Sequence, residues 1–181
     1  MQILSRQDRS MSEITMEHIA NNFRAVMRRF PAAVNVVVGH KDGVDHGMTA
    51  TAVMSVSMDP PSLVVCINNN TFLHEILLNQ PTFSVNVLSA DQQHISNAFS
   101  GQVLPQERFK IGQWERHESG VYALEDALAK VVCKRMAAVP YGTHTLFIGK
   151  VIEASVIEEQ SPLLYENTQY CITQPQNNSN S

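Results

Sequence analysis

Asp42 and Gly43 sit between two stretches of β-branched and small residues, AAVNVVVGH before them and VDHGMTATAV after them. An Asp-Gly pair flanked in this way is a strong local signal for a tight hairpin, because the favoured two-residue turn needs positive φ at both central positions. Residues 33–57 are therefore expected to fold as a hairpin. Asp59, Pro60 and Pro61 then interrupt the chain, and SLVVCIN behind them is the short continuous apolar run of a buried strand. FSVNVL, ALAKVVCKRMAAV, HTLFIGKVIEASV and PLLYENTQY each read as one further strand. With strand following strand so often, an alternating βα fold is excluded. A mainly β chain with helical insertions, closing as an antiparallel barrel, is the expected fold class.

The insertions are three. Ile19, Phe23, Val26, Met27 and Phe30 recur at helical spacing, which predicts an amphipathic helix over 15–30 with Thr15 as its cap and Pro31 as its stop. TFLHEILLN predicts a short helix from Thr71 to Asn79. Ser89 and Gln92 have capping-box spacing for a helix reaching about Phe99. Residues 100–118 are turn-rich, hold the only Trp, and are long enough for a loop that a site or interface nearby is expected.

A chain of 181 residues, 44% hydrophobic, suffices for one core. The expected domain spans 13–172, after a flexible segment 1–12 and before a polar, low-complexity, disordered tail 173–181. The formal charge is −4 and Lys and Arg are scattered, which argues against a nucleic acid or an anionic membrane and for a small soluble ligand. The N-terminus lacks the apolar core of a secretory signal, and no run approaches the ~18 apolar residues of a membrane span. A cytoplasmic protein is expected. Cys66, Cys133 and Cys171 are odd in number and far apart, as suits reduced structural thiols.

The motifs of phosphate-loop, dinucleotide-fold, zinc-protease and serine-hydrolase chemistry are all absent. No metal site is expected: the cluster His40, Asp42, Asp45 and His46 reads as a solvated turn. Three features stay open on the residues alone. GMTATAVMSVS, from Gly47 to Ser57, is small and hydroxylated where a strand would carry bulk, which fits either tight packing or a ligand wall. His144 follows Gly142 at the start of a strand, in a structural role or at a pocket. NNNT at 68–71 ends a strand and begins a helix, as an ordinary cap or as an anion site.

In order along the chain, RRFPAAVNVVV, HGMTATAVMSVSMDPPSLVVCIN, FSVNVL, ERF followed by Trp114, and YGTHTLFIGKV resemble the short-chain flavin reductases with an FMN-binding split barrel. The resemblance covers residues 20–170. It is strongest toward the reductase component of 4-hydroxyphenylacetate 3-monooxygenase. Many members have Gly-Asp-His where this chain has Gly142, Thr143 and His144, so a role for that Asp is not carried over.

The resemblance implies a split barrel that passes hydride from NADH, or less selectively NADPH, to FMN or FAD. It also implies release of reduced flavin to a separate oxygenase, and a homodimer with flavin near the subunit interface. By residue, it implies that Thr49, Ala50, Thr51, Ser55, Val56 and Ser57 line the isoalloxazine ring and that Cys66, Ile67 and Asn68 contact the ring or ribityl chain. Thr71 would meet the phosphate, Asn86 and Phe99 would add contacts, and His144 would act catalytically on the nicotinamide side. FMN against FAD stays open. Two other readings remain: a flavin-holding module of the same fold without turnover, and a flavin enzyme that oxidises an amine or pyridoxal-type substrate.

Overall fold

The computed structural model describes residues 6–157 and 160–174, with side chains from residue 15 onward. The elements are α1 (Arg6–Met27), β1 (Ala32–Ala33), β2 (Asn35–Lys41), β3 (Val44–Ala50), β4 (Val53–Met58), β5 (Pro61–Asn68), α2 (Phe72–Asn79), β6 (Thr82–Val87) and α3 (Gln93–Asn97). There follow a π-helical turn at Ala98–Gln102, a 3-10 helix at Pro105–Lys110, then β7 (Trp114–Arg116), β8 (Tyr122–Leu124), β9 (Ala129–Tyr141), β10 (His144–Val156), β11 (Leu163–Glu166) and β12 (Gln169–Ile172). Of the two terminal segments expected to be irregular, 1–5 and 175–181 lie outside the described residues. Residues 6–12 belong to α1, which no Pro or Gly interrupts, so Thr15 lies inside the helix instead of capping it.

One seven-stranded antiparallel sheet carries the fold, in the order β3-β2-β6-β9-β10-β5-β4. Its two edge strands, β3 and β4, are consecutive in sequence and joined only by Thr51 and Ala52. Three Cα steps from Ala50 to Val53 span at most about 11 Å. The edges of a flat sheet of this size would lie about 29 Å apart. The sheet must therefore roll up until its edges nearly meet, leaving a barrel with an open seam that the small-residue segment crosses.

Asp42 and Gly43 form the expected hairpin turn, at φ 51 and 80. The segment after it is not one strand to Ser57, as expected. It leaves β2 at Ala50, breaks at Thr51–Ala52, and resumes as β4 against β5. The segment expected as a single C-terminal strand is likewise a hairpin, β11–β12, turning at Asn167 and Thr168 with φ 47 and 65.

Two apolar clusters flank β2. Val37, Val65, Ile67, Leu73, Leu77, Phe83 and Phe147 pack on one side of it, and Val36, Val38, Leu88, Ile95, Phe99 and Leu124 on the other. Burial on both faces explains why that strand reads as an unbroken apolar run. A Cβ at Gly149 would come within 2.6 Å of the Phe83 ring and 2.7 Å of Cys133 Cβ. Gly149→Ala is expected to lower stability by about 1–3 kcal/mol through overpacking, read as a shift in the urea midpoint. No helix among the described residues is long and apolar enough to cross a membrane.

Candidate functional site

The seam holds a cavity of about 390 Å³ lined by Thr49 and Ala50 from the end of β3 and Thr51 just after it, by Ser96, Asn97, Ser100 and Gln102, and by Tyr165, Thr168 and Tyr170. Its polar groups are hydroxyls and amides, with no charged side chain among them. Thr49 Oγ1 donates to Ser96 O at 2.7 Å, Ser96 Oγ and Tyr170 Oη share a hydrogen bond of 2.9 Å, and Tyr170 Oη donates to Asn97 Oδ1 at 3.1 Å. These bonds fix the two walls against each other. At the seam, the Thr51 and Ala52 N–H groups donate to no backbone carbonyl among the described residues, while their carbonyls accept from Val53 and Cys66. Free backbone donors beside small side chains are what a flat ligand with acceptor atoms on its edge requires.

Below this wall, Gly47 permits a close approach: a Cβ there would meet the Phe99 ring at 2.7 Å. Phe109 meets Phe99 and Trp114 edge to face, Phe99 and Trp114 are tilted at 48° to each other, all with centroids 5.1–5.2 Å apart, and Arg108 Nη1 donates to Gly47 O at 3.0 Å. The long 100–118 segment thus braces β3 from beneath. Phe99, expected as a ligand contact, is buried in this brace and does not reach the cavity.

The outer face of the barrel carries a second set of candidates. On β5, Leu63, Val65 and Ile67 face the core, while Cys66 and Asn68 face outward, half-buried. Cross-strand partners share a face, and His144 lies opposite Asn68 as Leu146 lies opposite Cys66. Cys66 N in turn donates to Ala52 O at 3.0 Å. His144, Asn68, Cys66 and the seam residue Ala52 therefore occupy one continuous outer surface, and Ile67 points away from it into the core. Burial pushes the Cys66 thiol up, so it stays protonated and serves as an apolar contact. Burial pushes the core thiol of Cys133 up to about 12.

The NNNT stretch resolves into a clamp. Thr71 Oγ1 accepts from His74 N and donates to Asn68 O, so its hydroxyl is spent on capping α2 and is not turned toward a phosphate. Asn69 N donates to Thr143 O and its Nδ2 to Gly142 O, while Thr145 Oγ1 donates to Asn69 Oδ1. The clamp holds the β9–β10 tip, where Gly142 sits at φ 57 and Thr143 Oγ1 bonds His144 Nδ1 at 2.8 Å. Thr143, between Gly142 and His144, thus meets the His ring.

Other expected contacts fall elsewhere. Asn86 is fully buried and shares its amide with the backbone of two other strands. Ser57 Oγ both donates to Asp59 O and accepts from Asp59 N, closing the turn into β5. Val56 stands at the register shift of β4, and neither it, Ser55 nor Ser57 lines the seam cavity. Conversely, the sequence reading passed over Ser96, Asn97, Ser100, Gln102, Tyr165, Thr168 and Tyr170. Two signals for them existed: the polar-rich run SNAFSGQ, which ends α3 and forms the π turn, and Asn167-Thr168, a turn pair hidden by its lack of Gly. Thr168 holds a left-handed φ that a β-branched residue rarely adopts, at a position facing the cavity.

The donor set fits a flavin: neutral hydroxyls and amides, small side chains, and free backbone N–H groups around a cavity of ring size. The comparisons agree with that chemistry. The profile of the flavin reductase like domain matches residues 27–174. The chain is 56% identical over 167 residues, 91% of its own length and 93% of the relative's, to the reductase component of an FADH2-dependent resorcinol hydroxylase from Rhizobium sp. (strain MTP-10005). It is 34% identical to the NADH-dependent FMN reductase RutF of Agrobacterium fabrum, over 94% of this chain and 98% of the other. Among solved structures, the NADH:FAD oxidoreductase SgcE6 of Streptomyces globisporus, in complex with NAD and FAD fragments, superposes with a TM-score of 0.80. It is 27% identical and is matched over 98% of this chain and 99% of that one.

Proposed function

The chain belongs to the flavin reductase-like domain family, and from that premise we propose that it oxidises NADH at the seam, reduces FMN or FAD there, and hands the reduced flavin to a separate flavin-dependent hydroxylase of a phenolic ring. The observation that carries the reading is the seam itself, where Thr49, Ala50 and Thr51 form a shallow wall beside backbone donors that bond no carbonyl among the described residues. The 56% identity favours a dihydroxybenzene-type partner system over the hydroxyphenylacetate type.

A flavin bound there supplies the two-electron acceptor for the nicotinamide hydride. The chain's own work is placement. The Thr51 and Ala52 N–H groups would hold the polar edge of the ring, and the small side chains let the backbone come within hydrogen-bonding reach. Cys66 and Asn68 border the same surface as His144, which would face the carboxamide of a nicotinamide laid over the ring. Hydride transfer needs no protein acid or base, only two rings held at near contact. His144→Ala is therefore expected to lower kcat/KM for NADH about tenfold with saturating flavin and to leave measurable turnover. Unchanged kinetics would remove His144 from the site.

A homodimer belongs to this proposal. Phe23, 62% exposed, forms with Ile19 and Val26 an exposed apolar stripe on α1, and Phe30, just beyond the helix end, is exposed as well. Met54, Met58, Val139 and Tyr141 add to the exposed apolar surface of the barrel. Surfaces of this kind mark interfaces, and a second copy would also protect the open edge strands. So does a cytoplasmic location, in keeping with three free thiols.

The decisive experiment is NADH oxidation with FMN, FAD and riboflavin in parallel. Oxidation that depends on added flavin is expected. A protein that binds flavin yet leaves NADH untouched would make it a holding module, and turnover of an amine in place of NADH would make it an oxidase.

A further inference from the structure

We propose that a second cavity beside the seam binds the adenosine diphosphate half of a dinucleotide, with Arg24 and Arg28 on the diphosphate; the proposal rests on the flavin reductase reading. This cavity, of about 450 Å³, lies between the end of α1 and the β11–β12 turn. It shares Thr51, Tyr165 and Thr168 with the seam cavity, so the two form one continuous groove. One ligand long enough to pass those three residues can occupy both.

The chemistry changes across that boundary. The seam cavity is neutral, whereas the second adds Arg24 and Arg28 together with Met27, Phe30, Ala32 and Ala52. Arg24 and Arg28 are one helical turn apart on one face, about 6 Å along the axis, a spacing that lets two guanidinium groups reach adjacent phosphates. Arg24 spends one N–H on Asn21 Oδ1 at 2.7 Å, and Arg28 forms no ion pair among the described residues. One carboxylate, Glu166, also lines the cavity and leaves a net positive charge. In a chain of formal charge −4, such a spot is selective for an anion. Met27, Phe30 and the two alanines supply an apolar wall for a purine. The helix end is held in place because Asn167 N donates to Arg28 O at 2.9 Å. Riboflavin has nothing to place there and FMN at most one phosphate, whereas a dinucleotide fills the cavity with a diphosphate and a purine, so the cavity favours dinucleotides over mononucleotides.

Two dinucleotides carry this moiety, FAD and NADH, and the experiment distinguishes them. Flavin fluorescence titrations of the full chain give dissociation constants for FAD and FMN. NADH oxidation with FMN as acceptor gives the KM for NADH. For Arg28→Gln the expected change is a rise of about tenfold in the ratio of the FAD to the FMN constant, and more for Arg24→Gln with Arg28→Gln. A tenfold rise in the KM for NADH with that ratio unmoved also supports the subsite and gives it to the nicotinamide dinucleotide. Arg28→Lys keeps the charge and is expected to retain most of the affinity, while an unshifted melting temperature excludes loss of fold. If neither quantity moves, or FMN and FAD weaken equally, the subsite is wrong and the arginines serve only the C-terminal end of α1. Failure of the parent reading looks different: the unsubstituted protein would then oxidise no NADH with any flavin.

Discussion

Thr51→Trp is expected to lower flavin-dependent NADH oxidation at least about a hundredfold, for FMN, FAD and riboflavin alike. Thr51 lies in the two-residue connection between the edge strands and lines both cavities. It is exposed and belongs to neither strand ladder, so a bulky side chain there meets space that a ligand would use and not packed core. An indole side chain buries well over 100 Å² when it fills such a cavity, and a flat ligand must displace it to enter. The expected signature is therefore loss of flavin fluorescence quenching with a melting temperature within a few degrees of the unsubstituted protein. Quenching that survives would place the ring elsewhere than at the seam. Ser57→Leu is the paired control, since Ser57 closes a turn four residues along β4 from Val53, about 13 Å at the rise of a strand.

The contrast between Thr51 and Ser57 shows what could be read from the chain and what could not. Local punctuation was legible: Asp42-Gly43 turned the first hairpin, Thr71 capped α2, and the two long strands β9 and β10 fell where their apolar runs lay. The small-residue stretch was legible as something unusual. Its break at Thr51–Ala52 was not, because no Gly or Pro marks it and the cause is global: the sheet must close, and the chain steps from one edge to the other. Direction of side chains was the second blind point. Ile67 lies between Cys66 and Asn68 in sequence and faces the opposite way, a consequence of strand alternation that acts only once the core side of β5 is known. The polar residues at 96–102 and the Asn167-Thr168 turn reach the cavity through long-range packing that no spacing rule exposes.

Asn86→Ala is expected to cost about 3–5 kcal/mol of stability and to leave the affinity of the remaining folded protein for flavin intact. A polar residue in FSVNVL resembles a ligand group when only the sequence is in view. In the fold its side chain is entirely buried. Asn86 Nδ2 donates to Val36 O at 3.0 Å and to Ser84 Oγ at 3.1 Å, and its Oδ1 accepts from Leu124 N at 2.8 Å. One amide thus ties β2 and β8 to β6, and Ser84 passes the connection on by donating to Tyr122 O at 2.6 Å. Truncation removes the partner of a buried backbone N–H, weakens a buried carbonyl, and opens a void. Each orphaned group costs about 1–3 kcal/mol, and the void adds to this. Asn86→Asp tests the donor separately: it keeps an acceptor for Leu124 N but loses the bond to Val36 O and buries a charge, so it should be at least as damaging. Urea unfolding gives the stability, and flavin titration at low temperature gives the affinity. A variant of ordinary stability with weakened flavin binding would return Asn86 to the ligand and undo its assignment as the tie between these strands.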